Sequence, residues 1–234
     1  FSVFMINHRG SGLGMGLSKY LWNGGVSDDL EKIIDYILGL YPEKFIDVVG
    51  FSLSGNILLK YLGEKKSEPA KIRKALAVNP PIDLKRASLV LSKTKKGRLF
   101  NSYFMKPIHL QGKALAEFFP GYLAPSGNEK TILEFDIHYT APAAKFNDVD
   151  DYYSNCSAKN YLKDITVPTT ILSALDDPFI ESDIFKSVRM SSAINLNSPD
   201  QGGHMGYISS DLTPWGDCRW MDFKVVDWSG EGRE

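Results

Sequence analysis

Apolar residues along this chain fall into short runs separated by turn residues, and the runs alternate between two kinds. Continuous apolar stretches read as strands buried on both faces, as in a parallel sheet. Phe1–Ile6 (FSVFMI) is such a run, and Phe45–Gly50 (FIDVVG), Lys74–Asn79 (KALAVN), Thr169–Ala174 (TTILSA) and Ala193–Asn197 are further strand candidates. Between them lie segments with helical spacing. Ser27–Leu40 carries Leu30, Ile33, Ile34, Ile37 and Leu38 on one stripe, with Ser27 or Asp28 available as a cap and Pro42 just beyond its end. Asn56–Gly63 predicts a helix that stops at a glycine, and Asp217–Trp228 a terminal helix with Trp220, Phe223 and Val226 on one face. Strands alternating with helices predict an α/β fold, a mostly parallel sheet with helices on both sides.

Leu84–Asp151 breaks this rhythm. It is long and rich in aromatic residues, among them Phe100, Tyr103, Phe104, Phe118, Phe119 and Tyr122. The reading is a helical cap inserted into one domain spanning 1–234, most of its aromatic residues packing the cap and some lining an acyl pocket.

Composition narrows the classes. The chain has 234 residues, 43% hydrophobic and 24% charged, enough for one domain with a real core. The formal net charge of −1 lacks the basic excess of nucleic-acid binders. The basic cluster Lys93-Thr94-Lys95-Lys96-Gly97-Arg98 reads as a solvated surface; its sharper alternative is a contact for anionic lipid headgroups. No apolar run is long enough to span a bilayer. The two cysteines, Cys156 and Cys218, form neither a CxxC nor a Cys/His metal pattern. A reducing, cytoplasmic setting is the default expectation, and no cofactor or metal is expected.

The segment that carries chemistry is Gly50-Phe51-Ser52-Leu53-Ser54-Gly55-Asn56, a G-x-S-x-small motif with a buried strand before it and a helix after it. A serine on a strained strand-to-helix turn stands clear of the sheet, and small residues two positions to either side let the backbones close on it. Gly50 fits, and Ser54 is small where glycine is usual. A serine hydroxyl needs a base, and the base needs an orienting acid. In this kind of fold the chain order is serine, acid, histidine. Asp176-Asp177-Pro178 follows a buried strand, and Gln201-Gly202-Gly203-His204-Met205-Gly206 puts a histidine in a glycine-flanked loop after the next one. Asp177 is preferred as the acid because Pro178 fixes the turn after it, with Asp176 as a structural neighbour bonding the loop backbone. His8 precedes the serine, and His109 and His138 sit in the cap with no partner pattern. Gly10–Gly16 lacks the G-x-G-x-x-G spacing of a dinucleotide loop and reads as a tight turn, with Arg9 structural.

Together, Asn7-His8-Arg9-Gly10, the Ser52 elbow, Asp176-Asp177-Pro178 and Gly202-Gly203-His204-Met205-Gly206 resemble the YheT-like branch of α/β-hydrolases. That branch holds bacterial and plant esterases, animal membrane-associated phospholipases and yeast medium-chain ester synthases. The resemblance runs from Phe1 to about Trp220. It implies a triad of Ser52, Asp177 and His204, an oxyanion-hole N–H from Leu53, and a small ester or lipid as substrate. Transfer of the acyl group to an alcohol is the alternative within enzymes, and a non-catalytic remnant binding lipid or protein is the alternative outside them. Membrane association and oligomeric state stay open. The resemblance also implies strands upstream of Phe1–Ile6, together with a loop that supplies the second oxyanion donor. The expectation is thus an N-terminally incomplete copy with a half-built oxyanion hole; sequence upstream of the gene tests it.

Overall fold

A computed structural model describes residues 2–64 and 71–230. In chain order these form α1 (Ser27–Leu40), β1 (Ile46–Phe51), α2 (Leu53–Glu64), β2 (Ile72–Val78), α3 (Leu84–Lys93), α4 (Lys95–Phe118), α5 (Ile132–Phe135), α6 (Ala141–Ala143), α7 (Val149–Cys156), β3 (Thr169–Leu172), α8 (Ile184–Ser187), β4 (Ile194–Asn197) and α9 (Trp220–Gly230). The chain divides into two compact units, one of Phe1–Val26 with Asp83–Ser157, the other of Ser27–Ile82 with Ala158–Glu234.

The second unit carries the sheet. Its four strands run β1-β2-β3-β4, every neighbouring pair parallel. Parallel neighbours need crossovers, and the chain supplies one between each pair, so all four strands end on the same edge of the sheet. The loops that follow β1, β2, β3 and β4 therefore gather along that edge, where ligands bind in open α/β sheets. The core lies around β2, β3 and α2. Ala75, Ala77, Val78 and Ile171 are fully enclosed, as are Leu59 and Leu62 of α2.

A helix buried nearly all round must hide any charge it carries. Lys60 does so by ion-pairing with Glu64 at 2.6 Å and donating to Ser27 Oγ at 3.0 Å. Ser27 itself donates to Glu64, so the residue that opens α1 fastens it to α2. The helix ends within one residue of Gly63, as expected, and a Cβ there would meet the Tyr161 carbonyl, so the glycine also permits close packing.

The first unit is helical. Leu21, Met105, Leu115, Phe135 and Tyr139 form its core, and the Tyr139 hydroxyl accepts from the Leu21 N–H at 3.0 Å. The 24-residue α4 holds Pro107 in its interior, and α5 passes into a π-helical stretch at Asp136–Thr140. Asp136 is buried there. Its Oδ2 lies 2.9 Å from the Tyr153 hydroxyl, and burial pushes its carboxyl up to about 6. His8 stacks on Trp22, with ring centroids 4.1 Å apart.

One expected strand is not formed. Phe1 lies outside the described residues, and residues 2–6 are irregular, with Val3 79% and Met5 91% exposed. An apolar run signals burial, but a strand also needs a ladder partner, and no described strand pairs with this segment. Gly12–Gly14 forms a single 3₁₀ turn in place of a phosphate-binding loop. Among the described residues, no helix is long and apolar enough to cross a membrane.

Candidate active site

Ser52 sits between the end of β1 and the start of α2 with φ 51°, in the left-handed region that non-glycine residues rarely adopt. Hydrogen bonds hold it there. Its N–H donates to the Val78 carbonyl at 2.8 Å, and its carbonyl accepts from Gly55 at 2.8 Å and Asn56 at 3.3 Å. The turn is tight enough to demand Gly50, since a Cβ at that position would lie 2.6 Å from the Ser54 carbonyl oxygen and 2.9 Å from Gly55 N. Gly55 is nearly as constrained: its Cβ would meet the Gly50 carbonyl and Pro80 at 3.1 Å. Strain of this kind, about 1–3 kcal/mol per residue, persists only where the surroundings enforce it, and it clusters at functional sites. Leu53 opens α2, so its N–H belongs to the first turn, whose donors find no carbonyl within their own helix.

Asp177 lies in the loop after β3. Its Oδ1 accepts from the Phe179 and Ile180 N–H groups, each at 3.0 Å, which leaves Oδ2 free to face His204 Nδ1 at 2.8 Å. The carboxylate is fully enclosed, and the His204 side chain is 11% exposed. The other ring nitrogen, Nε2, lies 2.8 Å from Ser52 Oγ. Phe179 packs against the imidazole with centroids 4.1 Å apart. Residues distant in sequence thus form one line: hydroxyl, imidazole, carboxylate. Because Asp177 Oδ2 accepts, Nδ1 carries the proton and Nε2 presents its lone pair to the serine. An imidazole so held can take a proton from the hydroxyl, with the charge it gains facing a carboxylate.

Asp176 does something else: its Oδ1 accepts from the Gly203 N–H at 2.8 Å, tying the histidine loop down. Gly203 has φ 59°, and a Cβ on Gly202 would lie 2.6 Å from Tyr207 Cδ1 and 2.8 Å from Ala174 Cβ. Both glycines thus let the loop turn tightly against the end of β3. Two residues at this end of the sheet have no motif to mark them. Asn79, just past β2, is fully enclosed with φ 43°. Tyr207 is buried beside it, and burial pushes its phenol up to about 12. A polar residue at the C-terminal end of a central strand, next to Pro80-Pro81, is the signal that could have drawn attention to Asn79.

A parallel sheet whose serine stands on a strained elbow, with a histidine and an acid from later strands, defines a hydrolase-type site. The chain belongs to the alpha/beta hydrolase fold family, whose sequence profile matches residues 1–211. A monoacylglycerol lipase of Saccharomyces cerevisiae is 26% identical to it over 217 residues, covering 89% of this chain and 48% of that protein. Escherichia coli YheT is 26% identical over 213 residues, covering 89% of this chain and 62% of that protein, in agreement with the YheT-like motifs. The chain therefore spans about half to three-fifths of the length of these relatives. Among solved structures, serine hydrolase CCSP0084 from Cycloclasticus zankles shares the fold at a TM-score of 0.51 and 15% identity, covering 97% of this chain and 79% of that one.

Proposed function

We propose that this chain hydrolyses carboxylic esters, including lipid-like acyl esters, through an acyl-enzyme on Ser52. The observation that carries the reading is the unbroken hydrogen-bonded line from Ser52 Oγ through His204 to Asp177. Ser52 Oγ attacks the ester carbonyl carbon while its proton passes to His204 Nε2. The carbonyl π pair moves onto oxygen, and the Leu53 N–H at the start of α2 faces that charge, which the helix N-terminus also favours. The tetrahedral centre collapses, the C–O bond to the alcohol breaks, and the leaving oxygen takes the Nε2 proton. Water then attacks the acyl carbon while His204 Nε2 takes its proton. This second tetrahedral centre collapses, the bond from the acyl carbon to Ser52 Oγ breaks, the carboxylic acid leaves, and Oγ regains the proton from Nε2. Asp177 stays ionised throughout, fixing the tautomer and stabilising the imidazolium.

Leu84–Asp151 serves as a cap insertion of this one domain, interrupting the sheet-bearing part between β2 and β3. The lipase and esterase names of the relatives support an ester substrate with an apolar acyl group. Release of chromophore from a short-chain nitrophenyl ester, abolished in Ser52→Ala, tests the reaction. Product analysis with added ethanol separates transfer to water from transfer to an alcohol. A folded wild-type protein with no turnover and no serine labelling would favour a non-catalytic binding module instead.

A further inference from the structure

His204 can bridge Ser52 and Asp177 only if its loop stands at the right height above the sheet, and the imidazole's own two hydrogen bonds do not set that height. The backbone of the loop is held from beneath. Asn79 Nδ2 donates to the carbonyl of Gly203 at 3.0 Å and to the carbonyl of His204 itself. Its Oδ1 accepts from the Ala174 N–H at 3.1 Å and from the Tyr207 hydroxyl at 2.8 Å. Its own N–H donates to the Leu172 carbonyl at 2.7 Å.

Every hydrogen-bonding position of the amide is thus used. The orientation is also settled by chemistry: the Ala174 N–H can only donate, so the oxygen must face it and the NH₂ must face the two carbonyls. One side chain therefore joins the end of β2, the segment leading from β3 to Asp177, and the loop that carries the base. Tyr207 closes the ring from the other side. Its hydroxyl accepts from Ala174 N at 3.1 Å, and its N–H donates to the Gly202 carbonyl at 2.8 Å. Its raised phenol keeps that hydroxyl protonated well into the alkaline range.

The backbone explains why this residue is asparagine. A φ of 43° suits asparagine, aspartate and glycine, and of these only asparagine offers two donors and an acceptor together. The group is completely enclosed, so its bonds are made in a low-dielectric setting where an unmet carbonyl is costly. The catalytic line uses none of these atoms.

We infer that Asn79 is a positioning residue for the reaction, setting the distance from His204 Nε2 to Ser52 by holding the Gly203 and His204 carbonyls against the end of β2. This inference rests on the ester-hydrolase reading, and its test separates the two. Labelling of the whole chain by a fluorophosphonate is followed against reagent concentration and pH, so that reagent affinity, maximal rate and the acid limb of the profile are read separately. Asn79→Gly keeps the left-handed backbone and removes the tether. The expected result is a maximal labelling rate lower by roughly 10- to 100-fold, with reagent affinity unchanged and the acid limb displaced, since a misplacement of about 1 Å costs rates on that order. Should Asn79→Gly not fold, Asn79→Asp is read in its place; it keeps the acceptors for Ala174 and Tyr207 and loses both donors to the loop.

Leu162→Ala, a core truncation in the short turn at Leu162–Asp164 before β3, supplies a destabilised comparison. A merely structural Asn79 would lower the melting temperature as Leu162→Ala does and leave the maximal rate and acid limb of the folded fraction at wild type. That result overturns the inference, as does an equal displacement of the acid limb in Leu162→Ala. If wild-type labelling does not depend on Ser52 and His204, the ester-hydrolase reading fails and this inference falls with it.

Discussion

Asp177→Asn is the perturbation whose consequence the geometry determines most closely. Asp177 Oδ1 is anchored by two backbone donors, the N–H groups of Phe179 and Ile180 at 3.0 Å each. These groups can only donate, so an asparagine must keep its oxygen there. Its NH₂ then occupies the place of Oδ2 and points a hydrogen at His204 Nδ1, which is 2.8 Å away. Nδ1 can meet a donor only by giving up its own proton, and the proton moves to Nε2. In that tautomer Nε2 donates to Ser52 Oγ and cannot take its proton, so the base is lost while size, shape and both loop hydrogen bonds survive. In a Ser-His-Asp triad this inversion costs about 10⁴ in kcat, or about 5 kcal/mol on the barrier. The assay is steady-state ester hydrolysis with the melting temperature measured alongside. The expected outcome is a kcat lower by about 10⁴, a KM near wild type and a folded protein. A folded variant retaining more than about a tenth of wild-type kcat would refute the assignment of Asp177 as the orienting acid, since a tenfold loss is only about 1.4 kcal/mol.

Three further expectations follow from other parts of the chain. Gly50→Ala puts a Cβ 2.6 Å from the Ser54 carbonyl oxygen and 2.9 Å from Gly55 N, both backbone atoms, so the elbow must move. A stability loss of about 1–3 kcal/mol and a fall in kcat are expected, and wild-type values of both would contradict the close-packed elbow. Gly202→Ala would crowd Tyr207 and Ala174 on the base side; its expected signature is slower serine labelling with the Ser52 elbow unaltered, and an unchanged labelling rate would count against the loop packing. Asp136 has its carboxyl raised by burial from 3.8 to about 6 in the folded state. The stability this contributes is full below the unfolded value of 3.8 and is lost as pH rises through about 6, a change of about 3 kcal/mol. Asp136→Asn removes that slope, so denaturant unfolding at about pH 3 and about pH 7, on either side of the window, is expected to favour the variant at the higher pH; parallel behaviour of the two proteins would refute it.

Much of the sheet-bearing unit was legible because its elements obey local rules. The stripe from Leu30 to Leu38 defines α1 at the ends the structure shows, and the apolar runs before Ser52 and Asp176 are β1 and β3 within two residues. The Ser52, Asp177 and His204 positions were readable because each lies in a loop that follows a strand, and parallel strands bring those loops to one edge. Gly63 shows what local rules leave out: as a helix stop it looks ordinary, but it also admits the close approach of Tyr161 from far along the chain. Residues 2–6 show the same from the other side, since apolar character says nothing about which strand will supply the ladder. The place of Asn79 in the hydrogen-bond network was not readable for a related reason. Its partners are Leu172, Ala174, Gly203, His204 and Tyr207, all remote in sequence, and they meet only once β2 and β3 pair.

Activation of Ser52 by His204 is open to test by serine labelling. A fluorophosphonate probe is applied to the folded wild-type chain, Ser52→Ala and His204→Ala, and the modified residue is located by mass spectrometry. Labelling is expected at Ser52 in the wild type, none in Ser52→Ala, and a loss of several orders of magnitude in His204→Ala, since removing the base leaves a hydroxyl of ordinary reactivity. A folded wild-type protein that does not react, or that reacts as fast without His204, would contradict it.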